Sequence, residues 1–280
     1  MKVANSLAAY AKLAAEHRVE PPIGLVPTMG ALHEGHRSLI RLARARAERV
    51  VVSIFVNPLQ FGPGEDYVRY PRALTDDLAT CEAEGVDVVL APSVPDLYRD
   101  DRQVTVSAGA LGRVLEGAAR PGHFDGVLTV VLKLFHIVNP GLAVFGQKDA
   151  QQLACIQRMV LDLNLDIEVV GAPIVRDPDG LATSSRNVFL RPAERILARS
   201  LSVALEKAAT QTSVPAARNA AYETLDRAAD EEAFALDYAT LVDPATFAEV
   251  PDDYTSRAIF AVAARVGRTR LIDNATLTFG

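Results

Sequence analysis

The residues with the clearest chemical potential are two histidines three positions apart, His33 and His36, which close the stretch Val26-Pro-Thr-Met-Gly-Ala-Leu-His-Glu-Gly-His36. An apolar run ends there, Gly30 permits a tight turn, and a helix is predicted to begin near Gly35. A helix start offers unpaired N–H groups and the positive end of its dipole, which suits phosphate. Two imidazoles flanking that point could donate to phosphate oxygens. The spacing excludes a zincin, which needs histidines four apart on a helix. Taken alone, the pair could equally be ordinary surface or capping histidines. A second stretch, Phe145-Gly-Gln-Lys-Asp-Ala-Gln-Gln152, repeats the pattern of strand, glycine and helix start. Lys148 just past the strand can meet a phosphate as a point charge, and Gln152, one turn on, can hydrogen-bond a small polar ligand. A third, Val175 to Asn187, turns at Asp179-Gly180 and then offers Ser184, Ser185 and Arg186 in a row. Two hydroxyls and a permanent cation can grip a polyphosphate; without the other stretches they would read as a helix cap beside a solvated arginine. A fourth, Phe55 to Gly62, carries the amides Asn57 and Gln60, able to bind a hydroxyl or a carboxylate.

The elements that must hold these loops are legible as apolar runs. Ile23–Val26, Val50–Val56, Val86–Leu90, Leu142–Phe145 and Ile167–Val170 lack strict polar alternation, as strands buried on both faces of a parallel sheet do. Helices are predicted between them: from Gly35 to Arg49 with Leu39, Ile40, Leu42 and Ala43 on one face, from Thr75 with acids in its first turn, and from Asp149. This alternation predicts an α/β fold, a Rossmann-like doubly wound parallel sheet. Ligands bind beyond the C-terminal ends of such strands, where the first, second and fourth stretches lie. After Asn187 the pattern changes to Ala-rich helices, Pro192–Ala209 and Pro215–Ala229, and two late apolar runs, Ala258–Val262 and Thr269–Ile272, around a basic turn. We therefore expect residues 1–175 to form the nucleotide- and substrate-binding domain and residues 176–280 a smaller α+β domain.

Composition narrows the field of activities. The chain has 280 residues, 49% of them hydrophobic, and its 29 basic and 35 acidic side chains leave a net charge of −6. With no Trp and no basic strand studded with aromatics, a nucleic-acid-binding module is not expected. The best apolar run, Val127–Val138, is interrupted by Lys133 and His136 and is too short to span a bilayer, so no membrane role is expected. Cys81 and Cys155 form no disulfide framework, and the expected compartment is the reducing cytoplasm. A metal-dependent hydrolase would need a third ligand beside His33 and His36, and His17, His123 and His136 have no matching spacing.

Together the four stretches closely resemble the pantothenate synthetase (pantoate–beta-alanine ligase) family. The matching blocks run in order: PTMGALHEGH at Pro27–His36, FVNPLQFGPGED at Phe55–Asp66, YPR at Tyr70–Arg72, LEGAARPGHFDGVLTVVLKLF at Leu115–Phe135, FGQKDAQQ at Phe145–Gln152, DGLATSSRN at Asp179–Asn187 and RLIDN at Arg270–Asn274. HxGH alone is shared with other nucleotidyltransferases and with class I aminoacyl-tRNA synthetases; its combination with FVNPxQF and GLAxSSRN is specific. The resemblance implies a ligase of the pathway to coenzyme A that joins D-pantoate to beta-alanine with ATP and Mg²⁺ through a pantoyl adenylate, in a cytoplasmic homodimer whose C-terminal domain acts as a lid. It implies that His33 and His36 contact the ATP phosphates and that Met29 and Gly35 line the nucleotide site. Lys148, Ser184, Ser185 and Arg186 would stabilise the triphosphate and the transition state, Asp149 and Gly146 would hold the ribose, and Val175 would meet the adenine. Gln147 and Thr183 fall within the same ATP-binding blocks. Gln60, Gln152, Asn57 and Tyr70 would serve pantoate, and Asp76 would serve Mg²⁺. No nucleophile is expected of Ser184, Ser185 or either cysteine, because the chemistry needs no covalent enzyme intermediate. The sequence departs from the family pattern at Gln147, Ala150, Thr183 and Asp177-Pro178, none of which removes a donor. The alternative within the superfamily is a nucleotidyltransferase that moves AMP or CMP to a phosphorylated acceptor.

Overall fold

The computed structural model describes residues 1–16 and 22–280; His17 lies outside them. Six parallel strands form one sheet: β1 (Lys2–Ala4), β2 (Ile23–Thr28), β3 (Arg49–Ile54), β4 (Val88–Leu90), β5 (Leu142–Gly146) and β6 (Glu168–Ala172), in the order β1-β4-β3-β2-β5-β6. Alternate residues of these strands feed two different cores. Leu25, Val51, Leu90, Ala143 and Phe145 pack with α1 (Leu7–Glu16), α6 (His123–Val138) and α7 (Ala150–Asp162). Val26, Val50, Val52, Val89 and Val144 pack on the other face against α2 (Glu34–Arg46) and α3 (Leu74–Ala83). That is why the strands read as continuous apolar runs: both faces are covered. Short helices α4 (Val94–Leu97) and α5 (Glu116–Ala119) lie in the connection before α6.

The C-terminal part has helices α8 (Pro192–Ala198), α9 (Ser200–Ala209) and α10 (Val214–Ala229), then an antiparallel sheet β7-β8-β9 (Phe234–Val242, Arg257–Val266, Thr269–Thr278). Leu201, Leu205, Ala221 and Leu225 of α9 and α10 share its core with Leu241, Phe260 and Val262 of the strands. The chain divides into two compact units, Met1–Gln147 with Gln151–Pro173, and Lys148–Ala150 with Ile174–Gly280. The triplet Lys148–Ala150 thus groups with the C-terminal unit, which no local sequence signal suggests.

Several element limits differ from expectation. The helix expected to reach Arg49 stops at Arg46, with Ala47 extended (φ −134°, ψ 146°). No Gly or Pro marks that stop; the Arg44 guanidinium donates to the carbonyls of Ala47 and Glu48, at and just beyond the cap. Thr75 lies inside the first turn of α3 rather than at its cap, which is Ala73. The expected single helix over 192–209 breaks at Arg199, where Ser200 and Ser202 turn their hydroxyls onto the carbonyls of Leu197 and Arg199. Strands β1 and β7 were not evident in the sequence: β1 is three residues long, and Phe234–Val242 mixes Asp, Tyr and Thr with its apolar positions.

Candidate active site

The turn after β2 is built to present His33 and His36. Gly30 and Ala31 both take left-handed backbone (φ 82° and 51°), a conformation that costs a non-glycine residue on the order of 1 kcal/mol. Asp77, buried on α3, stabilises it: its two carboxylate oxygens accept the N–H groups of Ala31 (3.0 Å) and Leu32 (2.7 Å). A Cβ on Gly30 would lie 2.8 Å from an Asp77 oxygen, so the glycine is needed for space as well as for its φ. Thr28 completes the brace, accepting the Gly30 N–H (3.2 Å) and donating to the Ser53 carbonyl (2.7 Å).

His33 is the N-cap of α2, and the two imidazoles lie with centroids 4.0 Å apart, tilted 35° to each other. The His33 N–H donates to His36 Nδ1 (3.3 Å). With Nδ1 an acceptor, a neutral His36 carries its proton on Nε2 and can donate through that atom. Gly35 has its own steric reason: a Cβ there would come 2.9 Å from His33 Cε1. The Glu-Gly step between the histidines therefore lets the first ring fold across the helix start.

A second cluster of the same unit surrounds Gln60, in the short 3-10 turn Pro58–Gln60 after β3. Asn57 has all four side-chain positions in use: Nδ2 donates to Gln60 Oε1 and to the Gly126 carbonyl (both 3.0 Å), and Oδ1 accepts Leu59 N–H (3.2 Å) and Tyr98 Oη–H (2.8 Å). Asn57 is 1% exposed, and one of these bonds ties it to the Gln60 side chain. Gln60 Oε1 accepts from Asn57, and its Nε2 donates to Met29 Sδ on the histidine turn (3.2 Å). Tyr70 is buried edge-on to Phe61 (6.0 Å). Gly146 ends β5 with open space where a Cβ would point, whereas Gln147 donates to the Gly171 carbonyl (3.1 Å). Gln152 lies partly buried in the first turn of α7. Asp76 is exposed on α3, and its neighbour Asp77 is the one committed to the turn. Among the described residues, no group of three or more His, Cys, Asp or Glu could hold a metal.

The C-terminal unit carries the remaining residues. Lys148 is partly buried and Asp149 exposed; the Lys148 carbonyl accepts Asn274 Nδ2 (2.9 Å), so the last strand fixes that backbone. Asp273, beside it, binds Arg176 through both oxygens (2.6 and 3.2 Å). The serine loop hangs from Asp177, whose carboxylate accepts from Thr183 (2.7 Å), Asn187 (3.2 Å) and Arg195 (2.7 Å). Burial pushes that carboxyl upward, but the Arg195 hydrogen bond and the other donors outweigh it and hold the group below its ordinary range. Val175 closes the loop base, its carbonyl accepting Thr183 N–H (2.9 Å). Ser184 caps the 3-10 turn Ser185–Phe189 by accepting Arg186 N–H (3.3 Å). Ser184, Ser185 and Arg186 are all partly buried. Sequence reasoning missed Asp77, Tyr98, Asp273 and Asn274 as site builders; only the block match at RLIDN touched any of them.

A family model described as Pantoate-beta-alanine ligase matches residues 2–276. The chain belongs to the pantoate-beta-alanine ligase family. It is thus an enzyme of the class that forms a carbon–nitrogen bond. A pantothenate synthetase of Thermobifida fusca is 59% identical over 265 residues, covering 91% of this chain and 90% of the relative. The crystal structure of pantothenate synthetase from Thermus thermophilus superposes with a TM-score of 0.91 at 44% identity, over 98% of this chain and 99% of that one. A pantoate-beta-alanine ligase from Francisella tularensis, solved with beta-gamma ATP and beta-alanine, gives a TM-score of 0.81 at 33% identity over 98% and 97% of the two chains. Two of the positions that depart from the family pattern meet: the Thr183 hydroxyl donates to the Asp177 carboxylate (2.7 Å).

Proposed function

We propose that the chain condenses D-pantoate with beta-alanine, using ATP and releasing AMP and pyrophosphate. Family membership over residues 2–276 carries this reading, and the braced His33–His36 turn gives it a chemical basis. A pantoate carboxylate oxygen attacks the α-phosphorus and pyrophosphate leaves with the bond electrons. The beta-alanine amine then attacks the acyl carbon, AMP departs, and the amine loses its proton. Both steps develop negative charge on phosphate or acyl oxygens, so positioned donors and cations are the main requirement. His36 donates through Nε2 and His33 lies beside it; Lys148, Ser184, Ser185 and Arg186 supply the other donors. Met29, Gly35, Gly146, Gln147, Asp149, Val175 and Thr183 complete the ATP contacts. Gln60 Nε2, Gln152 and Tyr70 bind pantoate, while Asn57 acts through Gln60.

Magnesium fits as an ion carried on the phosphates. Asp76 is an exposed carboxylate, and a single carboxylate with phosphate oxygens and water suits Mg²⁺, for which no three-residue cluster of His, Cys, Asp or Glu exists among the described residues. Bound there, the ion would neutralise phosphate charge. The active form is a homodimer, to be checked by sedimentation. Cys81 and Cys155 are free, buried thiols pushed up to about 12 by burial, which suits a cytoplasmic enzyme with no thiol chemistry. No helix among the described residues is long and apolar enough to cross a membrane.

An assay with each substrate omitted in turn tests the reading. Pyrophosphate release requires pantoate, and sustained AMP release requires beta-alanine as well. Pyrophosphate release supported by a phosphorylated acceptor, and not by pantoate, would instead favour a nucleotidyltransferase.

A further inference from the structure

We propose that Arg120 and His123 are positioning residues for the pantoate step, clamping the main chain of Gln60 so that its amide is held in register for the substrate. The proposal rests on the reading that Gln60 binds pantoate. The Gln60 carbonyl receives two side-chain donors, His123 Nδ1 at 2.8 Å and Arg120 Nη2 at 3.2 Å. A carbonyl can only accept, so His123 carries its proton on Nδ1. Its Nε2 is then a bare acceptor, and Arg120 Nη1 meets it at 3.1 Å. The chain Arg120 to His123 to Gln60 closes only with a neutral imidazole. Burial, and after it the Arg120 charge, push His123 down to about 4 and keep it neutral.

The clamp is anchored at its far end. Glu65 grips Arg120 with both oxygens, accepting from Nε (2.9 Å) and Nη2 (2.6 Å), so the guanidinium cannot swing away. Burial favours the neutral form of Glu65, but the Arg120 hydrogen bond and charge overcome it and keep the carboxyl below its ordinary range. Gly126 lets the start of α6 press against the same turn: a Cβ there would sit 2.2 Å from the Leu59 carbonyl oxygen and 2.7 Å from Gln60 N. Asn57 meanwhile fixes the Gln60 side chain from the other side. A residue needed only for packing would not require its carbonyl and its amide to be held by polar groups from separate parts of the chain.

Steady-state kinetics on single and double variants decide the matter. His123→Leu deletes the Nδ1 donor and should lower kcat/KM for pantoate about tenfold, the scale of one lost hydrogen bond, with KM for ATP and for beta-alanine changed less than about twofold. His123→Asn places an amide N–H near the Nδ1 position and should restore most of the loss. In a Gln60→Ala background His123→Leu and Arg120→Lys should add less than about twofold, because the contact they serve is gone. Should His123→Leu not fold, Arg120→Lys carries the same cycle. Equal losses in both backgrounds, a loss spread evenly over all three substrates, or no rescue by Asn would overturn the clamp. If Gln60→Ala itself leaves kcat/KM for pantoate unchanged, the underlying assignment of Gln60 fails, and the clamp with it.

Discussion

Replacing Asp77 by Asn isolates the brace that holds the histidine turn. The carboxylate accepts two backbone N–H groups, from Ala31 and Leu32, one on each oxygen. Asn keeps the shape but offers one carbonyl oxygen, and its amide N–H₂ would point a donor at a donor. A hydrogen bond to a charged group is worth about 1.5–3 kcal/mol, and a buried N–H left unpaired costs about 1–3 kcal/mol. The left-handed backbone of Ala31 stores roughly 1–2 kcal/mol that the brace must hold. Taken together these set the cost at about 2–4 kcal/mol, not all of it additive. Carried wholly into the placement of His33 and His36, that slows adenylate formation by about 30- to 1000-fold. Stopped-flow detection of pyrophosphate with saturating ATP and pantoate, alongside a denaturant titration, separates loss of turn geometry from loss of fold. If the Asp77→Asn enzyme is as stable as the parent and forms adenylate within about threefold of its rate, the brace is irrelevant to catalysis and the reasoning from Ala31 and Leu32 is wrong.

Three further outcomes follow from particular contacts. Gly126→Ala drives a methyl into the Leu59 and Gln60 backbone, which cannot rotate away, and should cost about 1–3 kcal/mol in a denaturant titration; an unchanged midpoint would count against the close packing. His123 is held near 4 when folded against 6.5 when free, so below pH 6.5 the unfolded chain binds a proton that the folded chain refuses. Its contribution is therefore full above pH 6.5 and falls by about 3 kcal/mol as the pH drops through about 4; His123→Asn should flatten that part of the stability curve, and superimposable curves would contradict it. Lys148→Ala should cut adenylate formation by about two to three orders of magnitude, and a near-normal single-turnover rate would remove Lys148 from the chemistry.

What the sequence could show divides along the range of the interaction. Strand runs such as Val50–Val52 were readable because burial on both faces leaves an unbroken apolar signal. The histidine turn was readable because its glycine, helix start and imidazoles are neighbours in sequence. The braces were not, because their partners are remote: Asp77 lies 45 residues from Leu32, His123 63 from Gln60, and Asn274 126 from Lys148. His123 illustrates the limit. Its spacing to other histidines excluded a metal role, yet nothing in that spacing could show a carbonyl 63 residues away waiting for its Nδ1 proton. Asn57 shows the converse, an amide in the right place whose bonds are all spent inside the protein.

In the proposed reaction a carboxylate oxygen of pantoate attacks the α-phosphorus of ATP. Pantoate labelled with ¹⁸O in its carboxylate, turned over with ATP and beta-alanine, tests it by mass spectrometry of the products. One labelled oxygen should appear in AMP for each pantothenate formed, because the amine cleaves the acyl carbon–oxygen bond. Label appearing in inorganic phosphate with ADP, or AMP free of label, would contradict it.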